Sequence, residues 1–134
     1  MTNKHHIRAL RLMAEDARLT DRLTDLLAGL VLINPVALRG EPTLMPSTEL
    51  MDVLGIDHAG SGRERQAIQE MTDALGDIAQ ARWSLPSRHG IVTGTFLDHY
   101  QLSSESGFLH FQMNTAFIGT LERISRHLAR DEGA

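Results

Sequence analysis

Phe96-Leu97-Asp98-His99-Tyr100-Gln101-Leu102-Ser103-Ser104-Glu105-Ser106-Gly107-Phe108-Leu109-His110-Phe111-Gln112-Met113 is the stretch on which the fold turns. From Trp83 onward the apolar spacing changes from helical to two. Phe96, Tyr100 and Leu102 alternate with Leu97 and His99, and Leu109, Phe111 and Met113 alternate with His110 and Gln112, the signature of a half-buried strand. With residues 103–106 as the loop, Leu102 faces Gly107, Tyr100 faces Leu109 and Phe96 faces Met113, so both apolar sets share one face. The same register puts Asp98 on that face opposite Phe111. There it closes the end of the sheet or binds a backbone amide; a buried catalytic acid is the rarer use of such a residue. It also sets His99 directly opposite His110 on the outer face. Two imidazoles there lack a third ligand, so they read as surface histidines and no metal is expected.

Upstream of the ribbon, Ile68, Met71, Leu75 and Ile78 form one apolar stripe, which predicts a helix of about five turns. Ser61-Gly62-Arg63-Glu64 opens it with a capping-box pattern. Before it, Ser47 or Thr48 is an N-cap for a short helix over Glu49-Leu50-Met51-Asp52-Val53-Leu54, and Gly55 offers a left-handed stop. Glu41-Pro42-Thr43-Leu44-Met45-Pro46 is an extended piece between prolines, at most a brief edge strand. Further upstream, Leu19, Leu23, Leu26, Leu27, Leu30 and Val31 form a helical stripe ended by Asn34-Pro35. Thr20 is a candidate cap for a fresh start inside residues 7–33. Downstream, Asn114 can cap a last helix that buries Phe117, Ile118, Leu121, Ile124 and Leu128.

The order is long helix, short extended piece, short helix, glycine-rich turn, longer helix, hairpin, helix. It predicts an α+β, mainly helical winged helix-turn-helix with a two- or three-stranded antiparallel wing, because neither the ribbon nor the stripes can bury their apolar faces alone. One domain over residues 1–134 follows, with 1–18 as an N-terminal helical extension and 19–130 as the core.

Composition narrows the classes of function. The 134 residues are 42% hydrophobic, enough for one core. The absence of cysteine removes disulfides and thiolate zinc sites. No apolar run approaches the roughly 20 residues a bilayer needs, so a cytoplasmic protein without membrane contact is expected. The formal net charge is −4. Residues 1–40 hold Lys4, Arg8, Arg11, Arg18, Arg22 and Arg39 against Glu15, Asp16, Asp21 and Asp25, hence +2, which leaves −6 for the remainder. Any nucleic-acid contact is therefore local and modest. No Walker loop, Gly-x-Gly-x-x-Gly, His-Glu-x-x-His or Gly-x-Ser-x-Gly occurs, so neither enzyme activity nor a cofactor is expected.

Thr43-Leu44-Met45-Pro46-Ser47-Thr48-Glu49-Leu50-Met51-Asp52-Val53-Leu54-Gly55-Ile56 resembles the strand-then-helix entry of the winged-helix domains of plasmid theta-replication initiator (Rep) proteins. Residues 63–78 are similar to that family's longer helix, 96–121 to its hairpin and following helix, and 21–33 to its leading helix. The resemblance covers about residues 20–121 and is one of residue classes. It implies a DNA-replication initiator-like domain, with double-stranded DNA, a second copy of the chain and other replication or regulatory proteins as partners. Such initiators usually carry two winged-helix domains, the first serving largely in dimerisation and backbone contact. An acidic single domain is similar to that first one.

The DNA-facing candidates are Arg63, Arg65, Gln66 and Gln69 on the longer helix, Ser47 and Thr48 on the short one, and Arg82 and Arg88 near the start of the ribbon. Glu64, Glu70, Asp73, Asp77 and Glu105 oppose them, which predicts weak, salt-sensitive binding. A second possibility is a transcriptional regulator or protein–protein adaptor. Ile91-Val92-Thr93-Gly94-Thr95-Phe96 is β-prone and uncharged, so Ile91, Thr93 and Thr95 are candidates for pairing with a second copy.

Overall fold

Helix α1 (Asn3–Asp16) begins the chain in the computed structural model, which describes residues 3–60, 62–103 and 105–133. Its buried face carries His6, Ala9, Leu10, Met13 and Ala14, an i, i+3, i+4 pattern. The chain then reverses at Arg18, whose φ of 58° lies in the left-handed region. Thr20 caps α2 (Asp21–Leu32), its hydroxyl accepting from the Leu23 amide at 3.2 Å. The two helices are thus separate, and Asn34-Pro35 lies just past the end of the second.

After a 3-10 turn (Ala37–Arg39) comes β1 (Thr43–Pro46), then α3 (Ser47–Leu54), which stops at Gly55 with φ 69°. Pro46 occupies the cap position of α3 and supplies no side-chain bond, so neither Ser47 nor Thr48 is its N-cap. Helix α4 (Glu64–Gln80) follows with Arg63 at its cap position. The expected capping box falls on Ser61, outside the described residues. Ala67, Met71, Ala74, Leu75 and Ile78 are the buried side of α4.

Beyond α4 the chain makes four strands, β2 (Arg82–Ser87), β3 (Gly90–Thr95), β4 (Leu97–Leu102) and β5 (Phe108–Met113), and closes with α5 (Thr115–Gly133). They form two antiparallel sheets, a three-stranded one of order β1-β5-β4 and a two-stranded β2-β3 hairpin. The first is the wing, and β1 is indeed a short edge strand on it. The second sheet is separated from the wing at Phe96, which leaves the ladder, is fully buried, and meets Phe117 edge-on at 4.9 Å.

The wing register differs from the expected one. Leu102 pairs with Leu109, Tyr100 with Phe111 and Leu97 with Met113. Gly107 has a left-handed φ of 72°, and its carbonyl accepts from both the Ser47 amide (2.9 Å) and the Ser47 hydroxyl (2.8 Å). These bonds hold Gly107 in the turn, so the strand starts at Phe108. A shift from Gly107 to Leu109 is an even one, so the apolar set stays on the inner face.

An irregularity between Leu97 and His99 leaves Asp98 outside the pairing. Asp98 is therefore exposed, not set opposite Phe111, and accepts from Asn114 Nδ2 at 2.8 Å. His99 pairs with Gln112 and His110 with Gln101, so the two histidines are not opposite each other.

All of this closes on one core that includes Ala9, Leu10 and Met13, each at most 1% exposed. Helix α1 therefore contributes to this core. Helix α1 lies against α5, where His6 Nε2 meets Glu122 Oε1 at 2.9 Å. The whole is an α+β winged-helix fold: a leading helix, an edge strand, a short and a longer helix, and a wing.

Candidate nucleic-acid and protein interfaces

Helix α4 buries Ala67, Met71 and Leu75, so Arg65, Gln66 and Gln69, spaced three and four apart, lie together on its exposed side. Arg63 stands exposed at its start. Thr48 is exposed in the first turn of α3. Thr48 borders the cleft on the Glu64 and Ile68 side of α4, so Arg63 and the three α4 side chains form the candidate surface.

Its electrostatics are mixed. Arg63 Nε lies 3.9 Å from Asp57 Oδ2, and Gln69 donates to Asp73 at 2.9 Å. A cleft of about 290 Å³ between the two helices and the wing turn is lined by Thr48, Met51, His58, Glu64, Ile68 and Glu105. Its side chains include two carboxylates and no lysine or arginine. Phosphates approaching the arginines would therefore pass anionic groups, which lowers affinity.

Ser47 leaves the candidate surface. It is 1% exposed and its hydroxyl is spent on the Gly107 carbonyl. Its role is to fasten the wing turn to α3.

Arg82 and Arg88 are exposed but belong elsewhere. At a rise of about 1.5 Å per residue, α4 carries the chain roughly 25 Å from its start to Arg82. Arg88 sits in the β2-β3 turn beside α5, where a groove is lined by Leu85, Val92, Arg123 and His127 among others. The predicted DNA-facing group is thus split between two ends of the molecule.

The β2-β3 sheet is the second surface. The Ser84 amide donates to Asp16 Oδ2 at 2.6 Å, pointing away from β3. Ser84 and its partner Thr93 are therefore a non-hydrogen-bonded pair, and Ile91, Thr93 and Thr95 turn their backbone groups to the outer edge of β3. Pro86, opposite Ile91, fits the same alternation because it has no N–H to offer the ladder. At Thr95 the outer carbonyl is already occupied: the Trp83 indole crosses β3 over Gly94 and donates to it at 2.9 Å. The open edge is therefore shorter than predicted and centres on Ile91 and Thr93. Ile91 is 75% exposed.

No protein-family model and no curated protein sequence matches the chain. Among solved structures it is similar to the WH1 domain of MSBI1.176, a replication protein isolated from a multiple sclerosis patient. The TM-score is 0.56 at 12% identity, over 90% of this chain and 92% of that one. That likeness supports the winged-helix fold.

Residue reading missed the Trp83–Gly94 contact and the His6–Glu122 pair. An isolated glycine inside an otherwise β-branched run was a signal for the first, since it marks a close approach to the backbone. Nothing local signals the second, because it joins positions 116 residues apart. Among the described residues no helix is long and apolar enough to cross a membrane.

Proposed function

We propose that this chain is a replication-initiator-type winged-helix domain that works as a homodimer, binds double-stranded DNA weakly and catalyses nothing itself. The open β3 edge at Ile91 and Thr93 carries the reading. A strand with outward-facing backbone groups, no charged residue and a large exposed apolar side chain is a template for a second strand. Antiparallel pairing of β3 with its copy makes one four-stranded sheet, an isologous contact that closes. The fold's likeness to a domain of a replication protein supports placing this dimer in replication, alongside other replication proteins. Arg63, Arg65, Gln66 and Gln69 then supply backbone contacts to DNA, few enough to position but not to specify.

A second reading, an adaptor or transcriptional regulator acting through protein contacts, is favoured by Glu64 and Glu105 in the cleft beside those arginines. Molar-mass measurement and duplex-DNA anisotropy separate the two. The first reading expects twice 14.9 kDa, falling to monomer on Thr93→Pro, which deletes an outward N–H without touching the β2 ladder. It further expects low-salt DNA binding that Arg63→Ala with Arg65→Ala abolishes. A monomer at every concentration sinks the dimer, and no DNA binding at low salt leaves only the adaptor.

A further inference from the structure

The groove between the β2-β3 sheet and the middle of α5 differs in chemistry from the rest of the molecule. It holds about 450 Å³. Leu85 and Val92, directly paired across the sheet, face Ile124 of α5 over a floor completed by the buried Trp83. Val92 is 44% exposed, a substantial apolar surface for an isolated strand residue. The rim carries two arginines: Arg88 stands at the hairpin turn and Arg123 on α5, with the His127 imidazole one turn beyond Arg123.

Arg123 is held in place, its Nη2 donating to the Thr120 hydroxyl at 3.3 Å, and that hydroxyl is itself fixed to the Ala116 carbonyl at 2.8 Å. None of the described residues lining the groove is Asp or Glu, in a chain whose net charge is −4. Of the neighbouring acids of α5, one is engaged away from the groove and one lies beside its His127 end. Glu122 meets His6 at 2.9 Å, and Asp131 lies 3.9 Å from His127 Nε2, one turn beyond.

We infer that this groove is a docking site for an acidic peptide segment of a partner protein, whose apolar side chain inserts between Val92 and Ile124 while its carboxylates reach Arg88 and Arg123. The mixture of floor and rim selects the occupant. A nucleic-acid backbone satisfies the arginines but has nothing to place on Leu85, Val92 and Ile124, whereas an acidic segment with an aromatic or aliphatic anchor uses both. The site is distinct from the β3 edge and from the α4 surface, and one chain suffices to form it.

The probe is a short fluorescein-labelled peptide with phenylalanines set among aspartates and glutamates, titrated with the full chain and read by anisotropy. Binding in the range of about 10 μM is expected. Arg88→Glu with Arg123→Glu, both at exposed positions, should weaken it by about tenfold or more. Val92→Glu should do the same, with circular dichroism confirming that each variant stays folded. A control peptide with serines in place of the phenylalanines should bind about tenfold more weakly. Thr93→Pro should leave peptide binding intact, so failure of the dimer and failure of the groove are read apart. The proposal is overturned if the labelled peptide does not bind, if the serine peptide binds equally well, or if Thr93→Pro abolishes binding. It is also overturned if the charge-reversed pair loses affinity for duplex DNA and not for the peptide.

Discussion

Gly94 is where a single hydrogen atom matters. A Cβ built there would lie 2.6 Å from one carbon of the Trp83 ring and 2.9 Å from another, and the indole cannot swing aside without losing its bond to the Thr95 carbonyl. Gly94→Ala should cost about 1–3 kcal/mol, as overpacking does, and lower the urea midpoint at unchanged slope. Asn114 makes a different kind of contribution. Its Oδ1 accepts from the Phe117 amide at 2.9 Å while its Nδ2 donates to Asp98. Asn114→Ala should cost about 1 kcal/mol through the lost cap, whereas Asp98→Ala, at an exposed position, should stay within about 0.5 kcal/mol. Equal losses in the two variants would mean that the irregularity at Asp98, not the cap, is the stabilising feature.

Among the elements, α1 has the role least visible from its own residues. Its stripe is His6, Ala9, Leu10, Met13 and Ala14, and it covers the α5 side that carries the fully buried Ser125, whose hydroxyl turns back to the Leu121 carbonyl at 2.8 Å. Leu10→Ala should therefore behave as a core truncation and cost about 2–5 kcal/mol. A chain lacking residues 1–18 should show no cooperative unfolding transition. If that truncated chain melted like the whole one, α1 would be dispensable after all. The wing shows the converse case: its tip is secured not by its own loop but by Ser47 of α3 holding Gly107.

At the scale of the molecule, charge decides how much DNA binding is attainable. The α4 surface offers Arg63 and Arg65 against the nearby Asp57, Glu64, Glu70 and Asp73, so about two phosphates are neutralised. The logarithm of the binding constant should then fall with the logarithm of salt at a slope near −2 for each chain engaged, hence near −4 for the dimer, against about −10 for a strong DNA binder. A slope measured by anisotropy steeper than about −5 would mean that a larger cationic surface, including Arg82 or Arg88, reaches the same duplex.

Periodicity was enough to locate most elements: the stripes of α2, α4 and α5, the stop at Gly55, the cap at Thr20 and the alternating wing are all local patterns, and local sterics and burial set them. The sheet inventory was not local. Residues 91–102 look like one continuous strand, and only packing of Phe96 against Phe117 divides them into two sheets. The wing register depended on Ser47 capturing a carbonyl 60 residues away, and the place of α1 depended on a partner helix at the other end of the chain. For the sites, the exposure of Arg63, Arg65, Gln66 and Gln69 followed from their helical spacing, but the separation of Arg82 and Arg88, the loss of Ser47 and the cationic groove beside α5 did not. Sequence alone settled which face of α2, α4 and α5 is buried, because that is a matter of period. The tertiary structure decided which surfaces adjoin, because that depends on contacts between residues far apart in the chain.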